Sequence, residues 1–556
     1  MHTPRPARRA RLGVLAACLL PLAAVPTASA AVVDWVGTSS FWDLVANWSP
    51  GLPAGGDDVR IDVAGTHTVT VRVNGGPFSV NSITMTGDEL LSITTGTLTL
   101  AGLATADNPA GTSVLNRFTQ AGGTLGGAGA LVVTGNATLA GVQTGSGHTT
   151  LQGATAMGNL HLDAGRMLRN EGTVTMTGSM NLNLTDTAGT GRVDNAGTFD
   201  VRTFNHGIVA GNFGSDPGSA ARFDNSGTFR KSTGAGAYGV AVAFHNLAQG
   251  TVDVLAGSFS FSGGGSNAGT NTMATGATMT LSGGTHAVGA GASFTGAGTL
   301  ALTGAATVLD LLAPTTVHRR FTMSGGTVRG EDLTLNGPVV IGISSSLGVM
   351  SGAATTRLTG ASTVGGGVNN PFGLDAGRVL RNEGAMVING VLDLNRLNAT
   401  GAGRIVNAAG ATIDVQTFNQ SIHATDHSAT NPLDNGTDAL IDNAGTFRKS
   451  TVGNYSIFVR FENTGVVDVT AGSLTFFGGL TNAGTLRVGA GTTLTLGAPG
   501  FVNTGTIAGH GTVVASGGAL LNQGLVAPGT STGQLSFTGA LTLDDAGVVA
   551  LELAEP

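Results

Sequence analysis

The chain has 556 residues, 91 of them Gly, with 26 Lys or Arg against 33 Asp or Glu, a formal charge of −7 and a single Cys. Without a strict Gly-X-Y period it is no collagen, and with 41% apolar residues and little net charge it is no disordered polyampholyte. A turn-rich, ordered, all-β chain is expected, and with only two lysines, Lys231 and Lys449, it carries no basic footprint for nucleic acid or an anionic membrane.

Residues 1–30 read as a secretory signal peptide. Arg5, Arg8, Arg9 and Arg11 precede an apolar run from Leu12 to Val25, followed by the small-residue pattern Thr27-Ala-Ser-Ala30. Leu15-Ala-Ala-Cys18 also fits a lipoprotein cleavage box. With Cys18 removed the mature chain has no thiol, so stability must come from packing and backbone pairing. No later window resembles a transmembrane helix.

Residues 31–75 form an opening module that holds all three tryptophans, Trp35, Trp42 and Trp48. First coils are expected over 76–117. Thereafter Asn-x-Gly signals recur before short alternating strands, and in the second half the asparagines 443, 463, 482, 503 and 522 step by about 20 residues. That step is one coil of a right-handed parallel β-helix. Asn and Gly supply the corner conformations, and runs such as Gly96-Thr-Leu-Thr-Leu100 alternate apolar and hydroxyl side chains. Above the coil lies a duplication. Asp163-Ala-Gly-Arg-Met-Leu-Arg-Asn-Glu-Gly172 returns as Asp375-Ala-Gly-Arg-Val-Leu-Arg-Asn-Glu-Gly384, and Thr228-Phe-Arg-Lys-Ser-Thr233 returns as Thr446-Phe-Arg-Lys-Ser-Thr451. This divides the chain into unit A, 118–320, unit B, 321–535, and a final coil, 536–556. About 24 coils at ~4.8 Å each predict a rod on the order of 110 Å.

The Trp35-Val-Gly37, Trp42, Asn47-Trp48 and Asp57-Asp58-Val59 module, the Asn-x-Gly-Thr coils and Asn522-Gln-Gly-Leu-Val-Ala-Pro528 together resemble the passenger-type β-helical surface proteins of Gram-negative bacteria, autotransporters included. The resemblance implies an N-terminal cap, a β-helix shaft, and an outer-membrane translocator or anchor outside this sequence. It further implies an extracellular or cell-surface location and a part in adhesion or matrix interaction.

Candidate chemistry is sparse. The adjacent acids Asp57-Asp58, Glu331-Asp332 and Asp544-Asp545 are widely separated, and neighbours in a strand face opposite ways, so no catalytic pair is expected. His423-Ala-Thr-Asp-His427 reads as an exposed polar loop. Asp434-Asn-Gly-Thr-Asp438 offers oxygens but lacks EF-hand spacing, so no metal site and no cofactor are assigned. The one candidate ligand site is the duplicated basic-aromatic coil. Arg230, Lys231 and Tyr238 are mirrored by Arg448, Lys449 and Tyr455 and include every Lys and Tyr of the chain. As two exposed patches on one face they would suit a carbohydrate or anionic polymer; as inherited structural residues they would lie in the column. The functional expectation is a secreted or surface β-helical protein acting in adhesion without catalysis. Alternatives are a polysaccharide lyase or glycosidase, or a purely structural stalk.

Overall fold

The computed structural model describes residues 30–343, 345–529 and 533–551; the segment expected to be a signal peptide, Cys18 included, lies outside the described residues except for Ala30. The chain winds into an all-β parallel solenoid of about 23 turns. Each coil has three faces, covered by three strands from Met167 onward and, in earlier turns, partly by one bent strand such as Ala154–Leu162, which pairs with both Thr173–Met176 and Met180–Asn181. Arg192–Asn195, Thr198–Val201 and Gly207–Val209 form one coil, and Arg222–Asn225 then lies back in parallel on Arg192–Asn195. At ~4.8 Å per turn the rod is about 110 Å long. Its core is a continuous column of Leu, Val, Ile, Phe and Met set inward by strand alternation. Leu380, placed inside by its pattern in Val379–Asn382, is fully buried.

The opening module is a cap. Trp48 packs edge-on to Trp35 and Trp42, with ring centroids 4.8 and 4.7 Å away, and its indole N–H donates to the carbonyl of Trp42 at 2.7 Å. Here lies the antiparallel pairing among the named strands, Val32–Trp35 with Trp48–Ser49. Asp57 and Asp58 are structural. Asp57 accepts from the Ala54 N–H, and Asp58, buried, accepts from Asn81, Ser82 and Thr105.

The Asn-x-Gly corners stack as ladders inside the wall. In unit A each Nδ2 donates to the Oδ1 one coil on, through Asn170, Asn195, Asn225, Asn246 and Asn267, at 2.7–3.2 Å. In unit B the series Asn382, Asn407, Asn443, Asn463, Asn482, Asn503 and Asn522 does the same at 2.6–2.9 Å. All donate in one direction. Glycine follows because the coils touch at this corner: a Cβ on Gly484 would stand 2.1 Å from the carbonyl oxygen of Gly465.

Two arginines are also interior. Arg166 donates to Thr149 Oγ1 and Arg378 to Thr356 Oγ1 and the Gly330 carbonyl, and burial pushes both guanidinium groups down to about 10.

The duplicated segments do not share a sheet. Tracing paired strands back from Val379–Asn382 leads through Thr355–Leu358, Leu333–Leu335, Thr315–Val317, Ser293–Gly296, Thr270–Met273, Thr251–Val254, Thr228–Lys231 and Thr198–Val201 to Thr173–Met176. That strand follows Met167–Asn170, the sequence counterpart of Val379–Asn382. Equivalent surfaces of units A and B are therefore displaced by one sheet around the three-sided prism.

Candidate binding face

The basic-aromatic coils do not form exposed patches. In Thr228–Lys231 and Thr446–Lys449 the alternation that buries Phe229 and Phe447 also turns Lys231 and Lys449 inward, and both lysines are fully buried. Lys231 Nζ donates to the carbonyls of Thr203, Thr233 and Gly234 at 2.6–3.2 Å. Lys449 Nζ donates to the carbonyl and hydroxyl of Thr451. Desolvation lowers both ammonium pKa values. Tyr238 and Tyr455 are buried too, their hydroxyls donating to the Gly178 and Gly390 carbonyls at 3.4 and 3.2 Å. Arg230 and Arg448 do face outward, each in register between two aspartates and paired to one: Arg230 to Asp253 at 3.1 Å, Arg448 to Asp468 at 3.3 Å. Lys231, Tyr238, Lys449 and Tyr455 are thus supports of the column. The two coils, moreover, lie on different faces.

The outer surface of the Asn-ladder sheet in unit A is more eventful. Strand register stacks Arg169, Asp194, Asp224, His245 and Ser266 in one row and Met167, Arg192, Arg222 and Ala243 in the next. The rows border an open groove of about 470 Å³. Arg222 pairs with Asp224 at 2.8 Å and Arg169 with Glu171 at 2.7 Å. Arg192 lies against Met167 Sδ at 3.1 Å and has no carboxylate partner among the described residues. His245 Nδ1 and Ser266 Oγ share a hydrogen bond of 2.8 Å. The groove thus offers a guanidinium with spare donors beside two carboxylates from consecutive coils. Its two acids, Asp194 and Asp224, are 30 residues apart in sequence and meet only through the stacking of coils. Its signal was Arg192-Val-Asp-Asn195 repeated as Arg222-Phe-Asp-Asn225, whose outward positions coincide once the coils stack. In unit B the equivalent face carries Arg404 paired with Asp442 at 3.0 Å and Arg460 beside Glu462 at 3.6 Å.

His423 and His427 do not converge. His423 Nε2 stands 3.7 Å from a carboxylate oxygen of Asp393, whereas His427 Nε2 contacts the Asn395 carbonyl at 3.1 Å. Asp434 is buried and Asp438 exposed, so they serve no common site. Among the described residues no group of three His, Asp or Glu side chains is placed to hold a metal ion. Asp375 is the most perturbed carboxyl. Burial, opposed by hydrogen bonds from the Leu397 and Ala376 N–H groups and reinforced by Asp434 and Asp393, pushes it up to about 6.

No helix among the described residues is long and apolar enough to cross a membrane. Comparisons with protein-family models, curated proteins and solved structures give no match.

Proposed function

We propose that this chain is an exported or cell-surface scaffold that works by presenting a long, rigid, repetitive surface to an extended polymer, in adhesion or matrix interaction. The observation that carries the reading is the charged groove of unit A, where Arg169, Arg192 and Arg222 from successive coils border one open channel. A polysaccharide bearing carboxylates at intervals suits that geometry, since guanidinium groups bind carboxylates bidentately and a rod gains avidity from repeated weak contacts. Export is supported by the basic, apolar and small-residue order of residues 1–30. The test joins two measurements: attachment of a clean deletion strain to several surfaces, and binding of purified protein to polygalacturonate and alginate as ionic strength rises. Reduced attachment, with salt-sensitive binding that falls at least tenfold when Arg169, Arg192 and Arg222 become Gln, supports the reading. Unchanged attachment and no polymer binding reject it.

One observation favours a second reading, a polysaccharide-active enzyme. Asp194 and Asp224 occupy consecutive rungs beside His245, an acid pair of the kind glycosidic cleavage needs. Turnover of acidic polysaccharide, followed by reducing ends, that disappears in D194N and D224N would establish it.

A further inference from the structure

Unit B differs from unit A at one corner in a way the fold does not require. Phe458 follows the strand Asn454–Ile457 and Phe477 follows Ser473–Phe476. The two rings stack, with centroids 4.9 Å apart and planes within 13°, and stay 50% and 47% exposed. The aligned residues of unit A are Ala241, between Tyr238-Gly-Val240 and Val242, and Ser262, after Phe261, both exposed. Arg460 likewise stands where unit A has Ala243. Since unit A builds the same coil from Ala241, Ser262 and Ala243, packing does not demand the larger residues. Exposed stacked phenyl rings keep apolar surface in water, and here they sit with an arginine.

The surroundings form a site. The corner between Phe458 and Asn435-Gly-Thr437 opens into a cleft of about 350 Å³, with Arg460 on its wall. Gly436 and Gly478 also line it, and Asn435 and Thr437, both exposed, supply a polar edge. A second cleft of about 250 Å³ continues past Arg460 over Leu480 and Phe501. Phe477 lies against Gly497, where a Cβ would come within 2.7 Å of the ring, and of the two rings it is Phe458 that lines the first cleft. Arg460 is 53% exposed and its 3.6 Å approach to Glu462 is a weak surface pair, so its fork remains available to an incoming carboxylate.

We infer that this cleft is a glycan subsite in which one sugar ring lies on Phe458 while Arg460 takes the carboxylate of a uronic acid. Flat aromatic faces suit the apolar C–H face of a pyranose, and the planar guanidinium suits a carboxylate. The inference rests on the polymer-binding reading above and names its ligand class. Because equivalent faces of the two units are one sheet apart, the subsite is separate from the unit A groove.

The test uses the unit A residues as replacements, which this fold already accommodates. Wild type, the double variant F458A/F477S and R460A are titrated calorimetrically with a galacturonic acid hexamer and with its fully methyl-esterified form. Sedimentation velocity runs in parallel. Expected is weak binding of the acidic hexamer that F458A/F477S reduces at least tenfold for both oligomers, while R460A reduces it for the acidic one only, with melting temperatures unchanged. Equal binding by wild type and F458A/F477S would overturn the subsite while leaving the groove reading intact, if R169Q/R192Q/R222Q still weakens polymer binding. Concentration-dependent dimerisation abolished by F458A/F477S would also overturn it, as the patch would then be a contact between two copies. Absence of binding to any acidic glycan would reject both readings.

Discussion

The asparagine ladder shows how much one side chain can hold. Asn443 accepts from Asn407 at 2.7 Å, donates to Asn463 at 2.7 Å, and also reaches the Val466 carbonyl at 3.1 Å, all in the buried wall. Asn443→Ala strands a donor on one side and an acceptor on the other, and stability should fall by about 2–4 kcal/mol, measured by urea unfolding. A loss below ~0.5 kcal/mol would show the ladder to be ornamental. Asp375 works in the opposite sense. Its carboxyl is raised from the ordinary 3.8 to about 6, so the fold prefers it protonated: its contribution is fully present below pH 3.8 and is lost as pH rises through 6. Asp375→Asn should remove that pH dependence, at a constant cost, because Oδ1 and Oδ2 accept from the Ala376 and Leu397 N–H groups and the amide keeps only one acceptor. The melting temperature of the variant relative to wild type should rise from pH 4 to 7, reflecting on the order of 2–3 kcal/mol; parallel curves would contradict it.

At the scale of elements, the buried lysines act as clamps between strands and loops. Lys231 gathers the carbonyls of Thr203, Thr233 and Gly234 and so fixes the loop carrying the half-exposed Phe204, whose ring packs over Gly234 and Gly236. Lys231→Met keeps the stem and removes the charge, leaving buried carbonyls without donors. Amide exchange should accelerate at Asn205 and its neighbours while distant coils keep their protection, because each coil contacts only the next. Uniform acceleration along the rod would speak against a local clamp. The coil period and the asparagine column were readable from sequence because Asn195, Asn225, Asn443 and Asn463 recur with the same Gly-Thr or Gly-Val tail. The inward turn of Lys231 and Tyr238 was not, because clustering of rare residues suggested a patch where alternation decided the side. The sheet offset between units was also hidden, since it depends on how many strands intervene rather than on any motif.

Over the whole molecule, stability is the sum of coils and their interfaces. Leu380 lies within a coil packed on both sides, through Thr355–Leu358 and Arg404–Asn407. Leu380→Asp places an unpaired carboxylate in the column and should cost several kcal/mol, with thermal unfolding divided into more than one transition as the two flanks part. A single unshifted transition would refute the placement.

The same geometry governs how the rod meets force. Its strands run across the long axis and their hydrogen bonds run along it, so a pull on the chain ends opens bonds one strand at a time instead of shearing many together. Each coil of about 20 residues then releases up to roughly 70 Å of slack chain. The next coil remains intact, having lost only one neighbour. Loaded between its ends, such a rod would act as a stiff strut under low tension and as an unreeling line under high tension, with each coil able to wind back when the tension falls.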